Sequence, residues 1–240
     1  MQAVLLAAGL GSRLGALTAS LPKALVEVAG EPLLGYAVRF AQAAGAREIL
    51  VVGGFGFEGV AAEVARRRLQ VELLENRAFR DGNLVSLMTA RPAIAARGRA
   101  DDLLLMNVDH IYRPAIAALA AAPADEVTAF IDTDRTLGHD DMKVARDGAG
   151  RVARISKTLD HYDAGYVGMT KVPVAAAARY WAEAEAALAE EGRAIHVERV
   201  LARLAPAPVC RDISGHGWLE VDFPEERARA EEALRAGGWW

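Results

Sequence analysis

The sequence predicts an α/β fold: a mostly parallel central sheet flanked by helices, joined to a more antiparallel C-terminal half. Three observations lead there. Short apolar runs alternate with longer helical patterns as far as residue 108. The first of these runs ends directly in a glycine turn. Beyond Pro114 short strands follow one another closely, without helices between them.

The elements follow in order. Residues 3–8 (AVLLAA) form a continuous apolar run that suits a strand buried on both faces. Residues 33–44 repeat apolar side chains at helical spacing up to Gly45, a natural stop. Residues 48–52 (EILVV) read as the second strand and 58–69 as a helix. Arg66, Arg67 and Arg68 in its last turn suit the negative end of the helix dipole. Residues 71–75 are the third strand, 84–96 a helix, and 102–108 a strand whose carboxyl end delivers Asp109. In the second half, 126–132, 142–146, 152–156 and 165–169 read as strands, with a hairpin over 142–157 turning at Asp147-Gly148 and Gly150. Helices are expected at 173–191 and 194–204, strands at 208–213 and 218–221, and a closing helix at 224–236. No internal repeat or linker divides the chain. The expectation is one domain over 1–240, residues 1–112 serving one ligand and 113–240 another.

Composition excludes several classes of function. With 240 residues, 28 basic against 32 acidic side chains and a formal charge of −4, a broad nucleic-acid face is not expected. The lone cysteine, Cys210, rules out an intramolecular disulfide framework and a multi-cysteine zinc site. No apolar run reaches the about 20 residues needed to span a bilayer. The N-terminus has no basic leader and no cleavage site, so the expected setting is cytoplasmic, without membrane insertion. Only four of the 28 cations are lysines (Lys23, Lys143, Lys157 and Lys171), which marks each as a candidate. The five histidines show no metal-ligand spacing and read as incidental. The closing Gly237-Gly238-Trp239-Trp240 is expected to pack at the contact of a homodimer or to hang free.

The informative segment is LLAAGLGSRLGALTASLPKAL, residues 5–25. Gly9 and Gly11 permit a tight turn in which successive N–H groups form an anion cradle. A dinucleotide fingerprint needs glycine where this chain has Leu14, and the Walker A string is absent. An arginine inside the turn and a Pro-Lys ten residues later can grip a triphosphate at several places. Asp109 and Asp222 both end apolar strand runs, where a parallel sheet presents its ligand face, and two carboxylates suit Mg²⁺. The alternative for each is a helix N-cap. Glu220 is expected on the face opposite to Asp222.

AAGLGSRL followed by LPKAL resembles the signature of the MobA-like and sugar-phosphate nucleotidyltransferases, which have a Rossmann-related, GT-A-like fold. Further segments are similar to the branch of cytidylyltransferases acting on inositol 1-phosphate and phosphocholine. These are Glu75-Asn76 with Gly82-Asn83-Leu84-Val85-Ser86-Leu87, Met106 to Tyr112, Lys143-Val144 with Arg154-Ile155-Ser156-Lys157, Asp163 to Tyr166, and Trp218 to Glu226. One departure stands out: Phe223 occupies a position where this branch usually has threonine. The resemblance implies transfer of a nucleoside monophosphate, CMP from CTP, to a phosphorylated small alcohol with release of pyrophosphate. It implies Arg13 on the β- and γ-phosphates, Lys23 on the α-phosphate and Lys157 on the acceptor phosphate. It also implies nucleotide contacts from Leu6, Ala7, Ala8, Gly9, Leu10, Gly11, Ser12, Gly82, Asn83, Ser86 and Asn107, and Mg²⁺ on Asp109 and Asp222.

Alternatives remain at this level. Lys157 is otherwise a solvated hairpin lysine, and Ser86 otherwise caps or stabilises its own helix. A sugar 1-phosphate with UTP, dTTP or GTP is the alternative substrate pair. A related glycosyltransferase would leave Arg13 and Lys23 without a task, and a non-catalytic nucleotide-binding regulator would leave the whole charged set unused. Some relatives of this branch carry a membrane-embedded second half. This sequence has no such segment, and any later transfer step is expected on another protein.

Overall fold

The computed structural model describes residues 1–19 and 21–240. Its elements in chain order are β1 (Gln2–Ala7), two 3-10 turns (Ser12–Thr18 and Lys23–Leu25), β2 (Glu27–Val28), β3 (Glu31–Pro32), α1 (Leu33–Ala43), β4 (Glu48–Gly53), α2 (Phe57–Arg67) and β5 (Glu72–Glu75). Then come α3 (Asn83–Ala96), β6 (Leu103–Asn107), β7 (His110–Tyr112), α4 (Pro114–Ala121), β8 (Thr128–Asp132), β9 (Lys143–Arg146), β10 (Val152–Ser156) and β11 (Ala164–Val172). The chain closes with α5 (Val174–Glu191), α6 (Val197–Arg203), β12 (Val209–Asp212), β13 (Trp218–Glu220) and α7 (Pro224–Arg235).

The central strands run in the order β5-β4-β1-β6, all parallel, and the sheet continues antiparallel through β11, β9 and β10. Strand β1 is buried along its whole length because both faces are covered. Successive side chains alternate between the two sides. Val4 and Leu6 pack into a cluster with Leu84, Leu87, Tyr180 and Val200 of α3, α5 and α6. Ala3, Leu5 and Ala7 pack into a second cluster with Leu34, Phe40, Ile116 and Ala117 of α1 and α4. The sheet order reverses between β1 and β6, which leaves a crevice beyond their carboxyl ends, the place where open α/β sheets bind ligands.

The expected α/β class, strand succession and antiparallel second half are all present. The hairpin of β9 and β10 turns where expected, with Gly150 N donating to Asp147 O at 3.0 Å. Helix α6 begins three residues later than the sequence pattern suggests. The pattern does not reveal the β2–β3 hairpin, β7 or α4. All three are short, and β7 exists only because β13 returns from more than 100 residues away to pair with it. The terminal tryptophans do not hang free. Trp240 Nε1 donates to Tyr112 O at 2.8 Å and meets Phe40 edge-on, and Trp239 lies against the Arg113 guanidinium. Among the described residues no helix is long and apolar enough to cross a membrane.

Lys171, one of the four lysines, has a structural task. It is 2% exposed, and its ammonium donates to Ala120 O, Ala121 O and Ala122 O at 3.2, 3.3 and 2.7 Å. These are the carbonyls that the end of α4 leaves without partners, and a cation suits that end of the helix dipole. Burial holds the Lys171 pKa below its ordinary value, against the pull of Asp102. Replacing Lys171 by methionine keeps the volume and orphans the carbonyls. We expect a stability loss of about 1.5–3 kcal/mol in urea unfolding; an unchanged midpoint would refute this role.

Candidate active site

The site is assembled at the carboxyl ends of β1 and β6. Beyond Ala7 the chain turns through Gly9 and Gly11 into the first 3-10 turn. Gly11 has φ +65, and a Cβ there would lie 2.9 Å from the Lys23 side chain, so only glycine lets the turn close on the lysine stem. Thr18 Oγ1 donates to Gly11 O at 2.6 Å and ties the loop. Pro22 rests on Gly56, which also has positive φ and where a Cβ would collide with the proline ring. These two glycines place Lys23, 7% exposed, under the crevice.

Strand β13 pairs antiparallel with β7, setting Glu220 opposite His110, and Val221 N donates to Asp109 O at 3.0 Å. This pairing carries Asp222 to the end of β6. Lys23 Nζ then donates to Asp109 Oδ2 at 2.6 Å and also to Asp222 Oδ1. Arg13 donates to Asp222 Oδ2 at 2.6 Å. Neither aspartate is a helix N-cap: α7 is capped at Phe223, and Glu226 reaches back to accept from Asp222 N and Phe223 N at 2.7 and 3.2 Å. The unusual Phe223 gives Arg13 a ring face, with the guanidinium carbon 5.7 Å from its centroid.

The electrostatics follow from this packing. Burial works to lower the Lys23 pKa, but Asp109 and Asp222 outweigh it and leave it raised. Burial works to raise the Asp109 carboxyl, and Lys23 and His110 hold it well below the usual carboxylate range. His110 Nδ1 lies 2.6 Å from Asp109 Oδ1, and the ring is stacked between Tyr112 and Trp218. Burial would lower the His110 pKa, and Asp109 reverses that.

Two compartments meet at this junction. One, of about 220 Å³, is lined by Leu6, Ala8, Gly9, Lys23 and Ser86; the other, of about 180 Å³, by Lys157, Tyr166, Glu198, Glu220 and Asp222. Asn83, Asn107, Asp109 and His196 line both. Of the nucleotide contacts expected from sequence, Leu6, Ala8, Gly9, Asn83, Ser86 and Asn107 therefore line the cleft. Ala7 is buried beneath it, and Leu10, Gly11 and Ser12 do not line it. Gly82 supports it from behind: its N–H donates to Arg193 O at 2.7 Å, and a Cβ would collide with Ile195 O.

Several expectations are corrected. Glu220 does not face away. Residues two apart on a strand share a face, and Glu220 lines the same compartment as Asp222, with Arg135 3.1 Å from its Oε2. His110 and His196 are not incidental, since both line the cleft. Ser86 caps nothing: it accepts from Asn76 Nδ2 at 2.9 Å. The Asn83 side-chain oxygen accepts from Val197 N at 2.8 Å, which commits it to the first turn of α6 and leaves its amide N–H groups for a ligand. Lys143 donates to Lys157 O at 2.7 Å and shapes the hairpin behind Lys157.

Gly168 in β11 has φ +69, and a Cβ would lie 2.7 Å from the His110 ring and 3.0 Å from the Asn107 amide. Gly168→Ala is expected to cost about 1–3 kcal/mol from backbone strain alone and to displace His110. Urea unfolding with histidine NMR checks both; wild-type stability with an unmoved His110 resonance would contradict this packing.

Residues 3–209 match the MobA-like NTP transferase domain. The chain is 30% identical over 237 residues to the bifunctional IPC transferase and DIPP synthase of Aquifex aeolicus, covering 97% of this chain and 51% of that protein. It spans about half the length of the curated relatives it matches. The inositol-1-phosphate CTP transferase from T. maritima superposes with a TM-score of 0.77 at 18% identity, over 98% of this chain and 96% of that one. The CTP:phosphocholine cytidylyltransferase from Streptococcus pneumoniae superposes with a TM-score of 0.74 at 21% identity, over 97% and 98%. At such identities these two establish the shared fold, while the domain match over most of the chain establishes the family. The glycine turn, its arginine and lysine, and the sheet beneath them are thus those of a member of the MobA-like NTP transferase family, to which this chain belongs.

Proposed function

We propose that this chain transfers CMP from CTP to a phosphorylated small alcohol, of the kind represented by inositol 1-phosphate or phosphocholine, and releases pyrophosphate. One observation carries the reading: Arg13, Lys23, Asp109 and Asp222 converge where the two compartments meet. The names of the two superposing enzymes, which specify CTP, support the choice of nucleotide.

The nucleotide occupies the compartment of Leu6, Ala8, Gly9 and Ser86, with the Gly9 end of the turn toward its phosphates and the Arg13 fork reaching them from the rim. The acceptor occupies the other compartment, with its phosphate at Lys157. An acceptor oxygen forms the new bond to the α-phosphorus, and the bond to the β-phosphate bridging oxygen breaks. The attacking phosphate is already largely dianionic above its second pKa of about 6, so no general base is required. The protein's work is alignment and neutralisation of charge. Lys23 leaves its two carboxylates to meet the α-phosphate.

The donor set fits a magnesium ion. Two carboxylates already converge on one cation, the Lys23 ammonium, and Mg²⁺ takes one or two carboxylates with phosphate oxygens and water. Asp109 and Asp222 would hold it, and it would neutralise charge on the nucleotide phosphates.

Pyrophosphate release is expected with CTP and a phosphorylated alcohol, and to fall below about pH 6 as the acceptor phosphate takes up a proton. Turnover confined to a sugar 1-phosphate with another nucleotide would overturn the acceptor and base assignments. Lys23→Met is expected to slow turnover about 10²–10³-fold. With the ammonium gone from between Asp109 and Asp222, the nucleotide-free protein should also bind Mn²⁺ more tightly than wild type in electron paramagnetic resonance titrations. Unchanged turnover and unchanged Mn²⁺ affinity together would remove Lys23 from the site.

A further inference from the structure

We infer that Glu198 selects the acceptor, by accepting a hydrogen bond from a hydroxyl group of a phosphorylated polyol whose phosphate is held across the compartment by Lys157. This rests on the function proposed above and adds the residue and the chemical class to it. Glu198 stands in the first turn of α6 and is 8% exposed, yet it lines the acceptor compartment. Its carboxyl group takes a hydrogen bond from its own backbone N–H, and among the described residues no other residue donates to it or pairs with it. Its neighbours on the same helix are not left so: Arg199 pairs with Glu191, and Arg203 with Glu183, Glu190 and Glu191. A buried carboxyl group with a single backbone donor keeps lone pairs unfilled, and a ligand in the compartment completes them.

The surroundings specify what completes it. Burial pushes the Glu198 carboxyl up from its ordinary range. Glu198 in turn helps raise the pKa of the Tyr166 and Tyr180 hydroxyls, so the three groups lie close together. Tyr166 OH is bonded to Thr170 Oγ1 at 2.8 Å and makes no hydrogen bond to Glu198. The open side of Glu198 is the compartment itself. An acceptor seated there needs an anion at one end for Lys157 and a donor at the other for Glu198. A quaternary ammonium group would be held by aromatic faces, and Tyr166 is the sole Phe, Tyr or Trp among the described residues lining this compartment. A hydroxyl group needs no cage, only a directed acceptor, and Glu198 is that acceptor.

The test is steady-state kinetics of wild type, Glu198→Gln and Glu198→Ala, with CTP and either inositol 1-phosphate or phosphocholine. For the polyol phosphate we expect KM to rise about 10–100-fold in Glu198→Ala, the loss of one hydrogen bond to a charged group, with the KM for CTP within about twofold of wild type. The near-isosteric Glu198→Gln, whose amide oxygen still accepts, should recover part of the loss, and phosphocholine turnover should not fall. Urea unfolding of the glutamine variant, matching wild type, excludes a folding defect. Equal losses for both acceptors, or no loss for the polyol phosphate, would overturn the assignment of Glu198 while leaving the proposed reaction intact. Absence of pyrophosphate release from wild type with every nucleotide and acceptor would instead overturn the reaction, and this assignment with it.

Discussion

Everything in the site depends on one buried ammonium group held between two carboxylates. Lys23, Asp109 and Asp222 come from three distant parts of the chain, and each of the three is set by a different device: a glycine that admits the lysine stem, the end of a parallel strand, and a two-stranded ladder that returns from the C-terminal region. Like charges at such a junction would repel strongly in a poorly solvated cleft. The lysine between them resolves this repulsion, and on the proposed function the same group meets an anionic substrate. The site is preorganised by its own counter-ions, and on the proposed function the charges that meet substrate also hold this junction together.

The parts of this arrangement that were legible in the sequence are those that local chain geometry controls. Gly9, Gly11, Arg13 and Lys23 lie in one segment directly after a buried strand, and Asp109 follows another apolar run. For such residues, position along the chain is nearly position in space. The doubly covered parallel sheet is legible for the same reason, because an unbroken apolar run has to be buried on both faces. Asp222 is legible both as the end of an apolar strand run and through the resemblance of its segment to known relatives.

What was not legible is whatever long-range pairing creates. The cleft position of Glu220 follows from its ladder with His110, and β7 has no signature of its own. His110 reads as an isolated histidine until Asp109, Tyr112 and Trp218 are known to surround it. Glu198 reads as one more charge on a helix rich in them; only the wall of a compartment distinguishes it from Arg199. Asn83 reads as a cleft residue, but its bond to the start of α6 crosses more than 100 positions and no local pattern announces it.

That last bond has a wider meaning. Gly82 and Asn83 begin the helix behind the nucleotide compartment, and they are stitched to Arg193 and Val197, at the entrance to the helix that carries Glu198. The two chambers thus share a partition with no slack, since even a methyl group at Gly82 would strike the opposing backbone. A change in residues 82–86 that remodels one compartment would disturb the other in the same stroke. On the proposed function, base preference and alcohol preference would then be inherited together, and diversification of this scaffold would proceed by paired changes on both sides of that partition rather than by one pocket at a time.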